Sequence, residues 1–333
     1  MTEQVDVLVV GGGAAGLNGA LMLARSRRSV LVVDAGVPRN APAEGVHGLL
    51  GREGTPPAEL LRRGREEVRG YGGRIREGTV TAATRAGDGF TVTLADSTTV
   101  RARRLLVAGG LVDELPDVPG LRERWGRDVL HCPYCHGWEV RDRAIGVLAT
   151  GPLAMHQALL FRQLSKDVVY LAHDRPPTDE EAEELAARDI EVIHGEVAEV
   201  LVEADRLTGV RLRDGRAVHR DALAVASRTR VRTEFLAGLG LDAVEHPSGI
   251  GTHLPVDPAG RTAVPGVWAA GNVTDPVAQV GAAAAAGAAA GAQINADLVA
   301  EETRAAVAAL RARRAGQPTA KPTLRTSSGA IST

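Results

Sequence analysis

Two cysteines separated by two residues carry the sharpest chemical signature of this sequence. They lie in the segment HCPYCH, residues 131–136, which holds both cysteines of the chain between two histidines. Two thiols at this spacing at the start of a helix can close a small disulfide ring, and the helix dipole and the histidines lower the pKa of one thiol. The alternatives are a pair of structural cysteines or half a zinc site, but no second CxxC and no standard zinc spacing exist. The segment therefore predicts a redox-active disulfide and no metal site.

The N-terminal sequence predicts a site for a dinucleotide cofactor. An apolar run at 5–10 ends in GGGAAG at 11–16, and a helical pattern then leads to a second apolar run, at 29–33, that ends in Asp34. Strand, glycine turn, helix, strand and acid in this order form the dinucleotide-binding βαβ unit. A glycine turn without a ligand is the alternative.

Each glycine of this turn has a steric reason. Gly11 allows the tight turn, Gly13 lets the backbone approach a pyrophosphate, and Gly16 lets the helix pack close to the strand. The free N–H groups at the helix start then face the phosphates. Asp34 accepts hydrogen bonds from a ribose and repels a 2′-phosphate, so NADP is disfavoured at this site.

The choice of FAD over NAD depends on the downstream segment WAAGN at 268–272. Small residues at a strand end, then a polar side chain and an apolar helix, suit a flavin. Asn272 would hydrogen-bond the ribityl hydroxyls, and the helix start near Gln279 and Val280 would direct N–H groups at the flavin ring. Residues 39, 40 and 47 are expected to contact either the flavin or the substrate. The predicted cofactor-binding residues are Gly11, Gly13, Ala14, Ala15, Gly16, Asp34, Ala35, Arg39, Asn40, His47, Gly109, Gly271, Asn272, Gln279 and Val280.

A second βαβ pattern, with a strand at 145–148, a helix at 151–164 and a strand at 168–171, lies in the middle of the chain. The predicted fold is therefore α/β, with two Rossmann-like, three-layer nucleotide-binding domains, the second inserted into the first. A helix is expected at 57–70, and near the C-terminus an Ala-rich helix is expected from 280 to about 299. The predicted domains are an FAD domain at 1–112 and 246–315, a CxxC-bearing NAD(P)-binding-like domain at 113–245, and a disordered tail at 316–333.

Composition excludes several classes of function. The 39 basic and 41 acidic residues nearly balance, and aromatic residues make up 3% of the chain, so neither a basic stripe nor a stacking platform for nucleic acid is expected. No apolar run reaches the roughly 20 residues that cross a bilayer, and no signal peptide is recognisable. Two cysteines cannot form a disulfide framework. A soluble cytoplasmic enzyme is expected.

The order of these features resembles the low-molecular-weight thioredoxin reductases. The glycine loop, the inserted unit that begins with CxxC, and PGVWAAGN at 265–272 carry this resemblance over residues 5–298. Within that superfamily, CPYCHGWE at 132–139 resembles the dithiol oxidases of gliotoxin and holomycin biosynthesis. The reductases carry an acid directly after the second cysteine, whereas this chain has His136.

The resemblance implies roles for the residues around the cysteines. Cys135 would be the thiolate beside the flavin, and Cys132 would exchange with the sulfur of the substrate. His136, with His131 as the second candidate, would take protons from the substrate thiols, since an imidazole titrates near neutral pH. A polar surface histidine is the alternative at both positions. The resemblance also implies a homodimer.

The second nucleotide unit departs from the reductase pattern. GxGxxA becomes ATGPLA at 149–154, where Ala149 replaces the first glycine and Pro152 removes one backbone N–H. Asp174 follows the next strand, where the 2′-phosphate of NADPH would have to lie. The sequence therefore argues against NADPH, although Asp174 would suit the ribose of NAD.

These observations predict an FAD-dependent dithiol oxidase. A small-molecule dithiol, such as a sulfur-containing natural product, would pass its electrons through Cys132 and Cys135 to FAD, and O2 would accept them to give H2O2. The alternative is a thioredoxin reductase-like enzyme that uses NAD(P)H or another electron donor. A third reading is a flavoprotein that senses redox state or binds a partner without turnover.

Overall fold

The computed structural model describes residues 3–315, which fold into strands and helices of mixed α/β character. The strands are β1 (Glu3–Val10), β2 (Val30–Asp34), β3 (Arg74–Glu77), β4 (Val80–Ala86), β5 (Gly89–Leu94), β6 (Thr99–Val107), β7 (Leu111–Glu114), β8 (Val129–Leu130), β9 (Ile145–Leu148), β10 (Val168–Leu171), β11 (Glu191–Ile193), β12 (Val197–Glu203), β13 (Arg206–Leu212), β14 (Ala217–His219), β15 (Ala222–Val225), β16 (Arg228–Val231), β17 (Val244–Glu245), β18 (Thr252–His253) and β19 (Val267–Ala269). The helices are α1 (Ala14–Arg25), α2 (Pro57–Gly70), α3 (Pro133–His136), α4 (Ala154–Leu164), α5 (Asp179–Ala187) and α6 (Val280–Ala315).

The first sheet has the strand order β3-β2-β1-β6-β5-β4, with β19 paired to β6. Strands β3, β2, β1, β6 and β19 are parallel, whereas β4 and β5 add an antiparallel hairpin. In β1, Val7, Leu8 and Val9 are fully buried, because helices or further chain cover both faces of the sheet. This continuous burial explains why residues 7–10 of β1 are all apolar and do not alternate with polar residues.

The second sheet has the order β11-β10-β9-β15-β8 and is parallel throughout. Its core includes the fully buried side chains of Phe161 on α4 and Tyr170 on β10. A separate antiparallel sheet, β12-β13-β14, follows β11 along the chain. The strand–helix–strand unit β9–α4–β10 is the second βαβ unit that the sequence predicts.

The strands of the second sheet lie in the chain between β6 and β19 of the first, so the second nucleotide unit is inserted into the first. This confirms the predicted fold class. The two connections pair with each other, since β7 and β16 form an antiparallel ribbon with Leu111 opposite Val231. The domain boundaries at 113 and 245 stay a prediction.

The C-terminal helix corrects one expectation. It extends to Ala315 and does not end near residue 299. Residues 300–315 contain neither glycine nor proline and are rich in alanine, arginine and glutamate, which are strong helix formers. Of the described residues, 295–315 belong to a second unit of the chain, and the first unit ends at Ile294. The tail predicted at 316–333 lies outside the described residues.

The described helices include none with the length and apolarity that crossing a membrane requires. Helix α2 has the bounds that the sequence predicts, whereas α4 begins three residues later than expected, at Ala154. Residues 151–153 form a turn instead, and Pro152 lies within it. This difference bears on the second nucleotide site.

Candidate active site

One cavity, here called the redox cavity, brings together residues of both nucleotide units. It is lined by Cys132 and Cys135 and by His131 and His136 beside them. The predicted cofactor residues that line it are Gly11, Gly13, Ala14, Ala15, Asp34, Arg39, Asn40, His47, Gly109, Asn272, Gln279 and Val280. The remaining three, Gly16, Ala35 and Gly271, do not line it but are chain neighbours of lining residues.

The glycine turn between β1 and α1 has the steric features that its sequence predicts. Gly11 has a φ of 101°, and a Cβ there would lie 2.3 Å from the carbonyl oxygen of Ala108. A Cβ on Gly16 would lie 1.9 Å from the carbonyl oxygen of Gly11, so this glycine sets the close approach of helix and strand. A Cβ on Gly13 would meet nothing within 4 Å. The turn therefore leaves open space beside the first N–H groups of α1, which have no partner within the helix and suit a pyrophosphate.

Asp34 lies at the end of β2, beside the glycine turn. A Cβ on Gly12 would come within 2.7 Å of its carboxylate oxygen, so the acid and the turn are in contact. Arg65 on α2 donates a hydrogen bond to Asp34 at 2.8 Å. The sequence did not single out Arg65, whose approach depends on how α2 packs. The acid is therefore held where a ribose beside the glycine turn could reach it.

The segment before α6 also lies against the redox cavity. The side-chain amide of Asn272 donates to the carbonyl oxygens of Asp275 and Ala278 at 3.1 and 2.8 Å. Its NH2 group therefore holds the turn before the helix, and its Oδ1 is the atom left for a ligand. The first turn of α6 begins at Val280, at the cavity wall. These residues fit a bound flavin, and their contacts with FAD stay predictions.

The cysteines occupy different positions in the short helix α3. Cys132 is the N-cap residue, whereas Cys135 lies within the helix. The thiol of Cys135 and the backbone N–H groups of Cys135 and Tyr134 stabilise the Cys132 thiolate. Despite the opposing effect of burial, the pKa of Cys132 is lowered to about 7. The pKa of Cys135 is raised, because it hydrogen-bonds to Cys132 and is partly buried. Cys132 is therefore the first thiolate of the reduced pair.

His131 is a half-buried residue whose contacts fix its orientation. Its Nδ1 lies 3.3 Å from the carbonyl oxygen of Val225, and its own carbonyl accepts a hydrogen bond from Gln157 at 2.6 Å. Burial and the charge of Arg39 lower its pKa, so the ring is neutral at pH 7. With Nδ1 directed at the backbone, Nε2 is the nitrogen left to accept a proton.

His136 has a different set of charged side chains near it. Burial lowers its pKa, and the charges of Glu139 and Glu44 oppose that effect. The ring is neutral near pH 7 and can take a proton from a thiol. His47, which was predicted to contact flavin or substrate, is near enough for its charge to affect His136. The sequence analysis did not single out Glu139, although it lies in the motif CPYCHGWE.

Arg39 binds a partner that sequence reasoning missed. Its guanidinium makes two hydrogen bonds to Asp113, at 2.7 and 2.6 Å, and Ser227 donates to the same carboxylate at 2.6 Å. Although burial raises it, the pKa of Asp113 is lowered overall by Arg39 and Ser227. The charge of Arg39 also lowers the pKa of both cysteines. Asp113 lies within β7 and Ser227 directly precedes β16. They are far apart in the sequence, so no local pattern could reveal their contact.

The second nucleotide unit has a different turn and a different acid. Thr150 at the end of β9 donates to the carbonyl oxygen of Ala226 at 3.1 Å. After β10, Asp174 is exposed, and its Oδ2 lies 3.2 Å from the Nε2 of His173. The guanidinium of Arg175 donates to Glu181 at 2.5 Å and to the hydroxyl of Tyr170 at 2.9 Å. The one arginine directly after the acid is therefore already held by protein groups.

The inserted nucleotide unit and the CxxC beside a nucleotide-type cavity define a disulfide oxidoreductase of the two-domain nucleotide-binding class. Residues 5–290 match the family described as pyridine nucleotide-disulphide oxidoreductase, and the chain belongs to that family. The family implies FAD as cofactor, so the chain is an FAD-dependent oxidoreductase.

Individual relatives agree with this assignment. The thioredoxin reductase tcpT of Claviceps purpurea is 33% identical over 281 residues, which cover 80% of this chain and 86% of that protein. The thioredoxin reductase of Streptomyces coelicolor is 29% identical over 83% of this chain and 88% of its own length. The crystal structure of HlmI superposes with a TM-score of 0.89 and 46% identity, and covers 95% of this chain and 99% of HlmI. The predicted resemblance to thioredoxin reductase-like enzymes is confirmed.

Proposed function

We propose that this chain is an FAD-dependent dithiol oxidase that closes a disulfide within a small-molecule natural-product dithiol, with O2 as electron acceptor. The observation that carries the proposal is the turn after β10. There, Asp174 is exposed, and Arg175 is bound to Glu181 and Tyr170. A 2′-phosphate would meet a carboxylate and an arginine that has to leave its ion pair. Electrons are therefore supplied by the dithiol and not by NADPH.

The neighbourhood of the cysteines supports the same direction of electron flow. His136 directly follows Cys135 and is held neutral near pH 7, in the form that accepts a proton. A base at this position suits the deprotonation of substrate thiols, whereas a reductase must protonate a leaving thiolate. The 46% identity to HlmI over most of both chains adds support, because the sequence resembles the gliotoxin- and holomycin-type dithiol oxidases.

The cycle begins with the Cys132–Cys135 disulfide. A substrate thiol gives its proton to His136 and attacks Cys132; the bond between the two cysteines breaks, and Cys135 leaves as a thiolate. The second substrate thiol loses its proton and attacks the sulfur bound to Cys132. The product disulfide forms and Cys132 leaves. Its lowered pKa makes Cys132 a good leaving group, since thiols of lower pKa leave faster.

The glycine turn at 11–16, Asp34 and the start of α6 would hold FAD against this pair. Bound there, FAD would supply a two-electron acceptor for the reduced cysteines, and O2 would accept these electrons with two protons to give H2O2. Arg39 keeps positive charge beside the cysteines and so stabilises the thiolate that donates these electrons. A cytoplasmic location and a homodimer belong to the proposal.

The test is anaerobic mixing of the FAD-loaded protein with dithiothreitol, NADPH or NADH while the flavin absorbance is recorded. We expect dithiothreitol to bleach the flavin and air to restore its colour with formation of H2O2. Bleaching by NADPH but not by the dithiol would overturn the proposal. A colourless protein with no affinity for added FAD would overturn the cofactor assignment as well.

A thioredoxin reductase-like activity is the second candidate. Several relatives are named thioredoxin reductases, including the Streptomyces coelicolor enzyme, and this favours the second candidate. Asp174 could accept hydrogen bonds from the ribose of NADH, which lacks the 2′-phosphate. Oxidation of NADH that requires a disulfide substrate would establish this candidate in place of the oxidase.

A further inference from the structure

His136 and His47 lie in a wall shared by two cavities. Both line the redox cavity, and both also line a second cavity of about 950 Å³, here called the polar cavity. Glu44 and Glu139 line the polar cavity and do not line the redox cavity. The polar cavity reaches solvent, because residues at its border such as Arg127 are about half exposed. The two histidines therefore separate the cysteines from a solvent-connected group of carboxylates.

The imidazole of His47 lies between two carboxylates. Its Nδ1 is 2.5 Å from the Oε1 of Glu53, and the other oxygen of Glu53 accepts the backbone N–H of Gly48 at 3.0 Å. The Nε2 of His47 is 3.6 Å from the Oε1 of Glu139. Glu53 therefore orients the ring and directs Nε2 toward Glu139. The longer distance suits a pair that tightens on substrate binding, as catalytic hydrogen bonds often do.

Glu139 and His136 both line the polar cavity. Glu139 follows His136 by three residues, on the short helix at 138–140 after α3. Its charge raises the pKa of His136, as does that of Glu44, whereas the charge of His47 lowers it. His136, Glu139 and His47 are thus electrostatically coupled across the wall between the cavities.

The other charged groups of the polar cavity do not compete for this role. Arg124 is bound to Asp128 and Asp205, and Arg127 pairs with Asp205, so these four form their own ion-pair network. Asp221 accepts the backbone N–H of Ala144. Arg143 and Arg206 contribute positive charge at the border, and Arg39 does so from the redox cavity. Glu44, Glu53 and Glu139 are the carboxylates that face the two histidines.

We propose that Glu139 and His47 are positioning residues that act through His136 and carry the proton of a substrate thiol from the redox cavity to the polar cavity. This inference rests on the proposed function for the identity of the thiol. The proton passes from sulfur to His136 and then by Glu139 and His47 to solvent. The electron pair stays on the sulfur, which attacks Cys132. The relay moves protons alone and needs no further oxidant or reductant.

The test compares His47→Gln and Glu139→Gln with the wild-type FAD-loaded enzyme by dithiothreitol-dependent oxygen uptake between pH 5 and 9. We expect each variant to lower kcat roughly tenfold at pH 7, because one step of proton transfer is removed. Glu184→Gln on α5 is the matched control, since it removes an exposed acid far along the chain, and it should leave kcat and the pH profile unchanged.

The pH profiles should move in opposite directions. The rate falls at low pH as His136 becomes protonated. Glu139→Gln removes a charge that raises the pKa of His136, so the acidic limb should move to lower pH. His47→Gln removes a charge that lowers it, so the limb should move to higher pH. Imidazole added to the buffer should partly restore the His47→Gln variant, which a purely structural role would not allow.

Wild-type kcat and an unshifted acidic limb in both variants would overturn the inference. So would shifts in the same direction together with a lower Tm, since that result indicates a structural defect. If the wild-type enzyme shows no oxygen-dependent turnover of the dithiol, the proposed oxidase function fails instead. The same variants are then assayed in the reductase direction, where protons return to the cysteines by the same route. Unchanged pH profiles there would also overturn the relay.

Discussion

The two nucleotide units of this chain share a topology but differ at the turn between the first strand and the first helix. In the N-terminal unit, α1 begins at Ala14 directly after Gly13, and the glycine backbone faces open space. In the inserted unit, two residues, Pro152 and Leu153, separate Gly151 from the start of α4. The first turn offers N–H groups to a pyrophosphate, whereas the second has lost one of them.

The acid that follows the second strand also differs between the two units, in its burial and its contacts. Asp34 is half-buried, held by Arg65 and in contact with the glycine turn. Asp174 is exposed and is followed by an arginine that is bound elsewhere. Two units with the same fold therefore need not bind the same ligand. In the function that we propose, the first unit holds the cofactor and the inserted unit presents the two cysteines.

The largest expected effect comes from removing sulfur from the inserted unit. Cys132→Ser should lower dithiol-dependent oxygen uptake at least about 1,000-fold, because no mixed disulfide can form at that position. The flavin content should stay at the wild-type level, since the cofactor is held by the first unit. Absorbance spectra and oxygen uptake measure the two quantities. Loss of flavin together with activity would contradict the division between the two units.

A matched pair of glycine substitutions compares the two turns directly. Gly13→Ala and Gly151→Ala each place a methyl group in space that the chain leaves empty. Gly13→Ala should weaken FAD binding by about 1–3 kcal/mol, roughly 5- to 150-fold, because the methyl group occupies the space for the pyrophosphate. Gly151→Ala should change neither FAD binding nor dithiol turnover. Fluorescence titration of the apoprotein with FAD provides the affinities.

The second turn could be converted toward NADPH. The double substitution Asp174→Asn and Glu181→Gln removes the exposed carboxylate and frees Arg175 for a phosphate. Glutamine at 181 keeps the capping box with Thr178. We expect NADPH-driven flavin reduction to gain about tenfold in apparent affinity, from one new charge-assisted contact. Glu184→Gln on the same helix is the control. If the apparent affinity for NADPH does not increase, the turn at 151–153, and not this charge, excludes the cofactor.

The smallest expected effect concerns the pKa of Cys132. Its pKa of about 7 means that the thiolate predominates above pH 7 and is lost as the pH falls below it. Arg39→Gln removes a charge that lowers this pKa, so the midpoint for alkylation of the reduced protein should rise by about half a unit. Arg39→Lys keeps the charge without the two-pronged contact to Asp113 and should stay closer to the wild type. A midpoint that falls in Arg39→Gln would contradict this account.

Local patterns were sufficient for most of the framework. The apolar run of β1, the steric demands of Gly11 and Gly16, and the bounds of α2 depend on neighbours a few residues away, and the structure agrees with each. The predicted end of α6, near residue 299, came about 16 residues too early, at the point where the apolar part of the helix gives way to a charged part. Charged residues of high helix propensity continue a helix as readily as apolar ones.

Contacts between distant segments escaped sequence reasoning. Arg39 was expected at the flavin or the substrate, yet its guanidinium is bound to Asp113, 74 positions away, and Asp113 also binds Ser227. Asn272 was assigned to the ribityl chain, whereas its NH2 group holds the turn before α6. Glu53 and Glu139 could be recognised as candidate site residues only from the structure, because the loop at 45–55 places His47 beside them.

The sequence by itself determined which residues can carry electrons and phosphates, because a CxxC and a glycine turn act through covalent spacing and local sterics. The tertiary structure alone decided which charges surround them. Coulomb interactions depend on distances through space, and the segment that brings Arg39 and His47 to the redox cavity lies far from the CxxC in the chain. Those charges set the protonation of the pair and of His136, and hence the direction of the chemistry that we propose.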